Sequence, residues 1–100
     1  MPEFVYLLKA TRLEMLTEGG TPHENKIVDT HFAYLQDLTE RGIMILVGRT
    51  LNADERTLGI AVFRAESEDA ARGIMENDPA VAGGVMHAEL FPFRIALKGK

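Results

Sequence analysis

A histidine and an aspartate are the residues of this sequence best suited to acid–base chemistry. His31 lies near the centre of the apolar stripe of a predicted amphipathic helix, and Asp78 lies far downstream in the turn that begins Asp78-Pro79. If the fold brings the two side chains together, the carboxylate fixes the tautomer of the ring, and the ring can act as a general base or acid. The two residues are therefore the predicted catalytic pair.

Each of the two residues also has a purely structural interpretation. A lone histidine on an apolar helix face is often a core residue that has found a hydrogen-bond partner. The segment Asn77-Asp78-Pro79 is a good helix stop, and an aspartate there can accept hydrogen bonds from backbone amides two residues on. A third possibility is that the pair only locks the two helices together, and the sequence leaves these alternatives open.

Two further polar residues are predicted to bind substrate. Arg49 follows an apolar segment beside the expected cleft and could meet an anionic group, although an exposed arginine at a strand end is common. Tyr34 lies about one turn beyond His31 and could donate a hydrogen bond, although packing in the core with a hydrated hydroxyl is an alternative. No metal site or cofactor is predicted, because the spacing of His23 and His31 is not that of a helical chelate.

The local signals predict two helices. Thr21-Pro22-His23-Glu24 combines a capping threonine, a proline at the first helical position and a capping-box glutamate, so a helix should begin there and run to about Arg41 before Gly42. Its apolar face comprises Ile27, Val28, His31, Phe32, Tyr34, Leu35 and Leu38. A second helix should begin after Ser67 and be ended by Pro79.

Four apolar segments predict strands, at residues 4–8, 43–48, 58–63 and 85–97. Pro92 places the last of them at a sheet edge or a bulge. Residues 10–20 form a long connection, in which Leu13, Met15 and Leu16 could form a short turn that packs locally. The order strand, helix, strand, strand, helix, strand is that of an α+β, ferredoxin-like βαββαβ subunit with a four-stranded antiparallel sheet.

Composition limits the function classes. The 100 residues suit one domain, residues 1–100, and 46% hydrophobic and 26% charged content are ordinary for a globular protein. The net charge is −4 and the arginines are scattered, which argues against nucleic-acid binding. No segment approaches the length of a membrane span, no signal peptide is evident and cysteine is absent. We therefore expect a cytoplasmic protein without disulfides.

The strands predict a homodimer. Two helices can cover only one face of a four-stranded sheet, yet the predicted strands are apolar on both faces. A twofold partner that presents the same face would cover the second one. The alternative is a monomer in which residues 10–20 and the C-terminal tail fold over the sheet.

Several segments resemble the YciI-like (YCII-related) family. They are Thr30-His31-Phe32-Ala33-Tyr34-Leu35, Asp78-Pro79-Ala80-Val81-Ala82-Gly83-Gly84-Val85 and Phe91-Pro92-Phe93, and the order of strands and helices also fits. The resemblance implies a dimeric α+β barrel of ferredoxin-like subunits and an active-site pair of one histidine and one aspartate, which map onto His31 and Asp78. The loop 11–20 is longer than in the most compact members, and no role is carried over to His87.

These observations together predict a small-molecule enzyme. Its His-Asp pair would catalyse elimination, isomerisation or hydrolysis of a small organic acid without a cofactor. The family analogy favours lyase or isomerase chemistry, since a related member resembles a lyase that removes chloride from a ring-cleavage product. Fold-level analogy transfers poorly to function, so the alternative is a non-catalytic dimer that binds a metabolite or serves as an accessory protein.

Overall fold

Four strands form one antiparallel sheet in the computed structural model, which describes residues 1–100. The strands are β1 (Glu3–Ala10), β2 (Met44–Arg49), β3 (Gly59–Arg64) and β4 (Met86–Phe93), in the order β2-β3-β1-β4 across the sheet. This order confirms the predicted ferredoxin-like arrangement. Strand β4 lies at an edge of the sheet, which is one of the two positions that Pro92 predicted. A proline is tolerated at an edge because it has no amide proton to donate to a second neighbouring strand.

The helices are α1 (Glu14–Thr17), α2 (Pro22–Glu40), α3 (Glu68–Glu76) and α4 (Pro79–Ala82). The predicted start of α2 is confirmed: the Thr21 hydroxyl accepts from the Glu24 amide at 3.1 Å, and the Glu24 carboxylate accepts from the Thr21 amide at 2.8 Å. The helix ends beside Gly42, whose φ of 75° few other residues adopt. None of the helices combines the length and apolar character that a membrane crossing requires.

The main core lies between the helices and one face of the sheet. Alternate residues of β1, namely Phe4, Tyr6 and Leu8, are buried there against α2 and α3. Tyr6 and Phe63 are fully buried and pack edge to face, with ring centroids 5.5 Å apart. The two central strands, β1 and β3, therefore form the sheet surface against which α2 packs.

The opposite face of the sheet carries an apolar row that crosses all four strands. The register places Leu46 beside Val62, Val62 beside Val5, and Val5 beside Phe91. The outer two members are substantially exposed, Leu46 by 62% and Phe91 by 39%. Apolar side chains on both faces, as predicted from the strand sequences, are therefore a feature of the folded chain.

A β-bulge interrupts the pairing of β2 with β3. Met44 pairs with Phe63, but the next pair is Leu46 with Val62, so Ile45 is the extra residue. Beyond the bulge, Leu46 shares a face with Val62 on the outer side of the sheet. Val47 and Arg49 consequently lie on the helix side, opposite Ala61 and Gly59.

Residues 14–17 of the connection form the single turn α1, in the region where the sequence predicted a short turn. The second short helix differs from the sequence prediction. Pro79 was expected only to end the second helix, but α3 already ends at Glu76 and Pro79 begins α4. The Asp78 side chain caps α4 by accepting from the Ala80 amide, and proline at the first helical position suits that role.

The connection 11–20 is fastened to the rest of the chain at two places. The Arg12 guanidinium makes two hydrogen bonds to the Glu24 carboxylate, of 3.0 and 2.7 Å. Thr11 bonds through its hydroxyl and its amide to the carbonyls of Gly84 and Val85. Together with the amide of Thr21, the arginine holds the pKa of Glu24 at about 2, below its ordinary 4.5.

Acid should therefore release this fastening. A carboxyl whose pKa is lowered by folding contributes stability above its unfolded pKa and loses that contribution as the pH falls through the folded value. Between pH 4.5 and about 2, the wild type should lose more stability than Glu24→Gln, as measured by urea unfolding at a series of pH values. Glu55→Gln, at an exposed turn, is the control and should follow the wild type. Parallel curves for wild type and Glu24→Gln would contradict this assignment.

Candidate acid–base site

Helix α2 carries His31 on the side that faces the sheet. Its neighbours along this face, Leu35 and Leu38, are buried, and His31 itself is only 9% exposed. The apolar stripe predicted from the sequence thus places a basic ring inside the protein. A buried polar ring needs a hydrogen-bond partner, since an unpaired one costs about 1–3 kcal/mol.

The partner is Asp78, at the junction of α3 and α4. Its backbone is extended, with φ −60° and ψ 123°, which turns the side chain inward at the start of α4. The carboxylate is fully buried, and its Oδ1 lies 2.5 Å from His31 Nδ1. The structure therefore brings together the two residues that the sequence predicted as a pair, from positions 47 apart in the chain.

Asp78 accepts three hydrogen bonds in all. Besides the ring of His31, Oδ1 accepts from the Ala80 amide at 2.9 Å, and Oδ2 accepts from the Tyr6 hydroxyl at 2.8 Å. Three donors compensate for the removal of the carboxylate from water. Tyr6 was not singled out in the sequence, where it is one of several large residues in an apolar strand, and no local signal distinguishes it from them.

Burial keeps the nearby phenols protonated. Removal from water and, to a smaller extent, the charge of Asp78 raise the pKa of Tyr6 far above its ordinary value. The same two causes raise the pKa of Tyr34, more weakly. The Tyr6 phenol therefore stays protonated and can donate its hydrogen bond to Asp78 at neutral and alkaline pH.

The hydrogen-bond network fixes the tautomer of His31. An ionised carboxylate can only accept, so Nδ1 carries the proton of the His31–Asp78 bond and a neutral ring has its lone pair on Nε2. Nε2 has no hydrogen-bond partner in the chain. Every buried side-chain nitrogen and oxygen does have a hydrogen-bond partner, so Nε2 is not a buried atom. Nε2 is therefore accessible, on a residue that lines a cavity.

That cavity has a volume of about 560 Å³ and is mostly apolar. Leu8 and Leu35 lie along it, Met15 and Leu16 of the fastened connection contribute one wall, and the largely exposed Phe32 lies at its rim. A concave apolar space of this size with a few polar groups is typical of a small-molecule site. Its polar lining residues are Asn25, His31, Arg49 and Thr57.

Arg49 and Tyr34 have different surroundings. Arg49 lines the cavity, and its guanidinium makes no ion pair within the chain, so it is free to meet an anion there. Tyr34 does not line the cavity, and its hydroxyl donates to the Ile74 carbonyl at 2.7 Å. This geometry supports the packing alternative for Tyr34 rather than a contact with substrate.

Removing the Asp78 carboxylate should be costly for stability. Asp78→Ala leaves the Tyr6 hydroxyl, the His31 ring and the Ala80 amide without their acceptor, and removal of one partner of a buried pair costs about 3–5 kcal/mol. Urea unfolding at neutral pH measures this loss. Asp37→Ala is the control, because it breaks only the exposed pair with Arg41, and it should change stability by less than about 1 kcal/mol. Equal effects of the two variants would show that the buried network contributes nothing to stability.

Comparison with known proteins places the chain in a family. A family model described as the YCII-related domain matches residues 4–94. Among solved structures, 5-chloro-2-hydroxyhydroquinone dehydrochlorinase (TftG) from Burkholderia phenoliruptrix AC1100, in complex with 2,5-dihydroxybenzoquinone, is similar with a TM-score of 0.64 and 20% identity, covering 91% of this chain and 93% of that chain. At this identity the likeness shows a common fold. A search of curated proteins found no match. Because the family model spans nearly every strand and helix described above, the chain belongs to the YCII-related domain family.

Proposed function

We propose that this protein is a small-molecule enzyme in which His31 transfers a proton and Asp78 orients the ring. One observation carries the proposal: His31 lines an apolar cavity with an accessible Nε2, while its Nδ1 is held by a fully buried carboxylate. Family membership supports it, because a protein of the same fold is named as a dehydrochlorinase.

The proposed step begins with a neutral His31. Nε2 removes a proton from a carbon or hydroxyl of the bound substrate, and the ring becomes an imidazolium whose charge Asp78 stabilises. The electron pair left on the substrate expels a leaving group in an elimination, or the proton returns to another atom in an isomerisation. If the nucleophile is water, the same transfer activates it for hydrolysis.

The proposed substrate is a small organic acid. Arg49 is the cavity residue that would bind its anionic group, since a guanidinium presents several donors that match an oxyanion. The apolar lining, which includes Leu8, Leu35 and Val47, would contact the carbon skeleton. The ligand of the similar structure, 2,5-dihydroxybenzoquinone, is an acidic planar compound of suitable size and is therefore a reasonable first probe.

The catalytic role is tested by His31→Gln. Chloride release from 5-chloro-2-hydroxyhydroquinone and turnover of a panel of small hydroxy and keto acids would identify a substrate, and the variant should then turn it over about 10²–10⁴-fold more slowly. His87→Gln, on the exposed edge of the sheet, is the matched control and should keep the wild-type rate. Equal rates for wild type and His31→Gln would rule out the mechanism.

A related outcome would favour the alternative function. A compound from this panel that raises the melting temperature of the protein, and is recovered unchanged after long incubation, would indicate a metabolite-binding protein instead of an enzyme.

We also propose that the chain acts as a homodimer. Two subunits that pack their outer sheet faces together would cover the apolar row of Leu46, Val62, Val5 and Phe91 and form a dimeric α+β barrel. Val5 and Val62 are already buried, but Leu46 and Phe91 expose apolar surface at the two ends of the row, and exposed apolar patches often mark contacts between proteins. The site described above lies on the helix side and would remain open.

Sedimentation equilibrium should therefore give twice the chain mass of 11.1 kDa. Leu46→Lys places a charge in the proposed interface and should shift the mass to that of the monomer. Leu51→Lys, in the exposed β2–β3 loop, is the control and should remain dimeric. A wild-type chain that sediments only as a monomer would refute the dimer.

A further inference from the structure

We infer that Tyr6 is a positioning residue that keeps His31 Nε2 as the proton acceptor. The inference rests on the proposed function, because it concerns the same acid–base site. Tyr6 does not line the cavity and touches the ring only through Asp78, so its effect must pass through the carboxylate.

The two carboxylate oxygens have separate partners. Oδ1 accepts from His31 Nδ1 and from the Ala80 amide, whereas Oδ2 accepts only from the Tyr6 hydroxyl. The three donors belong to α2, α4 and β1, so they approach from three directions. Without the hydroxyl, Oδ2 would be a buried oxygen without a partner, and rotation of the carboxylate about its bond to Cβ would relieve that cost.

Tyr6 is suited to this task because it is itself immobile. It lies in the middle of β1, between Ala61 of β3 and Leu90 of β4, and it is fully buried. The edge-to-face contact with Phe63 fixes the plane of its ring. The phenol stays protonated, as described above, so the hydroxyl holds Oδ2 at every pH relevant to the reaction.

The consequence for His31 concerns the position of a proton. While Oδ1 stays in line with Nδ1, the proton is held between those atoms, and the lone pair is on Nε2 inside the cavity. If the carboxylate rotates, the bond to Nδ1 weakens and the tautomer with a proton on Nε2 gains population. A ring in that tautomer cannot accept a proton from a substrate in the cavity.

The test is the tautomer of His31, observed by NMR of protein labelled with ¹⁵N-histidine and assigned with His31→Gln. The wild type should show well-separated Nδ1 and Nε2 resonances, typical of one dominant neutral tautomer. In Tyr6→Phe, which removes only the hydroxyl, the separation should shrink because the two tautomers interconvert. Tyr34→Phe is the control for loss of a phenol hydroxyl near the same helix, and the His31 resonances should keep their wild-type separation in it.

A folded Tyr6→Phe with the wild-type separation would overturn the inference. If Tyr6→Phe does not fold, 3-fluorotyrosine can replace both tyrosines, because it retains the hydroxyl but makes it more acidic. The His31 resonances should then shift, and unchanged resonances would again overturn the inference. This measurement needs no substrate, so its result is independent of the rate of His31→Gln: a shrunken separation with full activity in His31→Gln would refute the proposed function and leave the role of Tyr6 intact.

Discussion

The burial of one carboxylate is the constraint on which the rest of this structure depends. Asp78 is completely removed from solvent, and an unpaired ion there would cost several kcal/mol. The fold meets this requirement with a hydroxyl from the first strand, a ring from the long helix and an amide from the short helix α4. The hydroxyl and the ring come from residues distant from Asp78 in sequence, so the network is complete only when the sheet and its helix layer are complete.

This arrangement makes the chemical site and the fold interdependent. The bond that orients His31 is also one that joins α2 to the start of α4, and the bond from Tyr6 joins both to the centre of the sheet. The His31 ring is held in place by core residues rather than by loops. The cost is that a substitution meant to alter reactivity at Asp78 will also alter stability, so the two effects must be measured separately.

Much of the fold was predictable because its signals are local. The capping box at Thr21 and the glycine after α2 each follow from a few adjacent residues, and the arrangement of the sheet follows from the order of such local elements along the chain. The pairing of His31 with Asp78 was predictable as a hypothesis, since both residue types were unusual for their positions. Helix α4 was missed because Pro79 signals the end of one helix as well as the start of another.

Other parts of the site have no signature in a single sequence. Tyr6 becomes a partner of Asp78 through the tertiary fold, and the strand sequence around it fits any buried tyrosine. The hydrogen bonds of Arg12 to Glu24 likewise join an irregular connection to a helix start. Tyr34 illustrates the converse: its position on α2 suggested a role in the site, but its hydroxyl is occupied by the Ile74 carbonyl.

The bulge at Ile45 determines which side chains of β2 face the cavity. Side chains alternate between the two faces of a strand, so one extra residue reverses the side on which every later residue lies. If β2 kept Ile45 but paired regularly with β3, Arg49 would point to the outer face and Leu46 to the helix layer. The cation in the cavity and the apolar row on the outer face therefore share a single origin, which is the bulge that takes Ile45 out of the pairing.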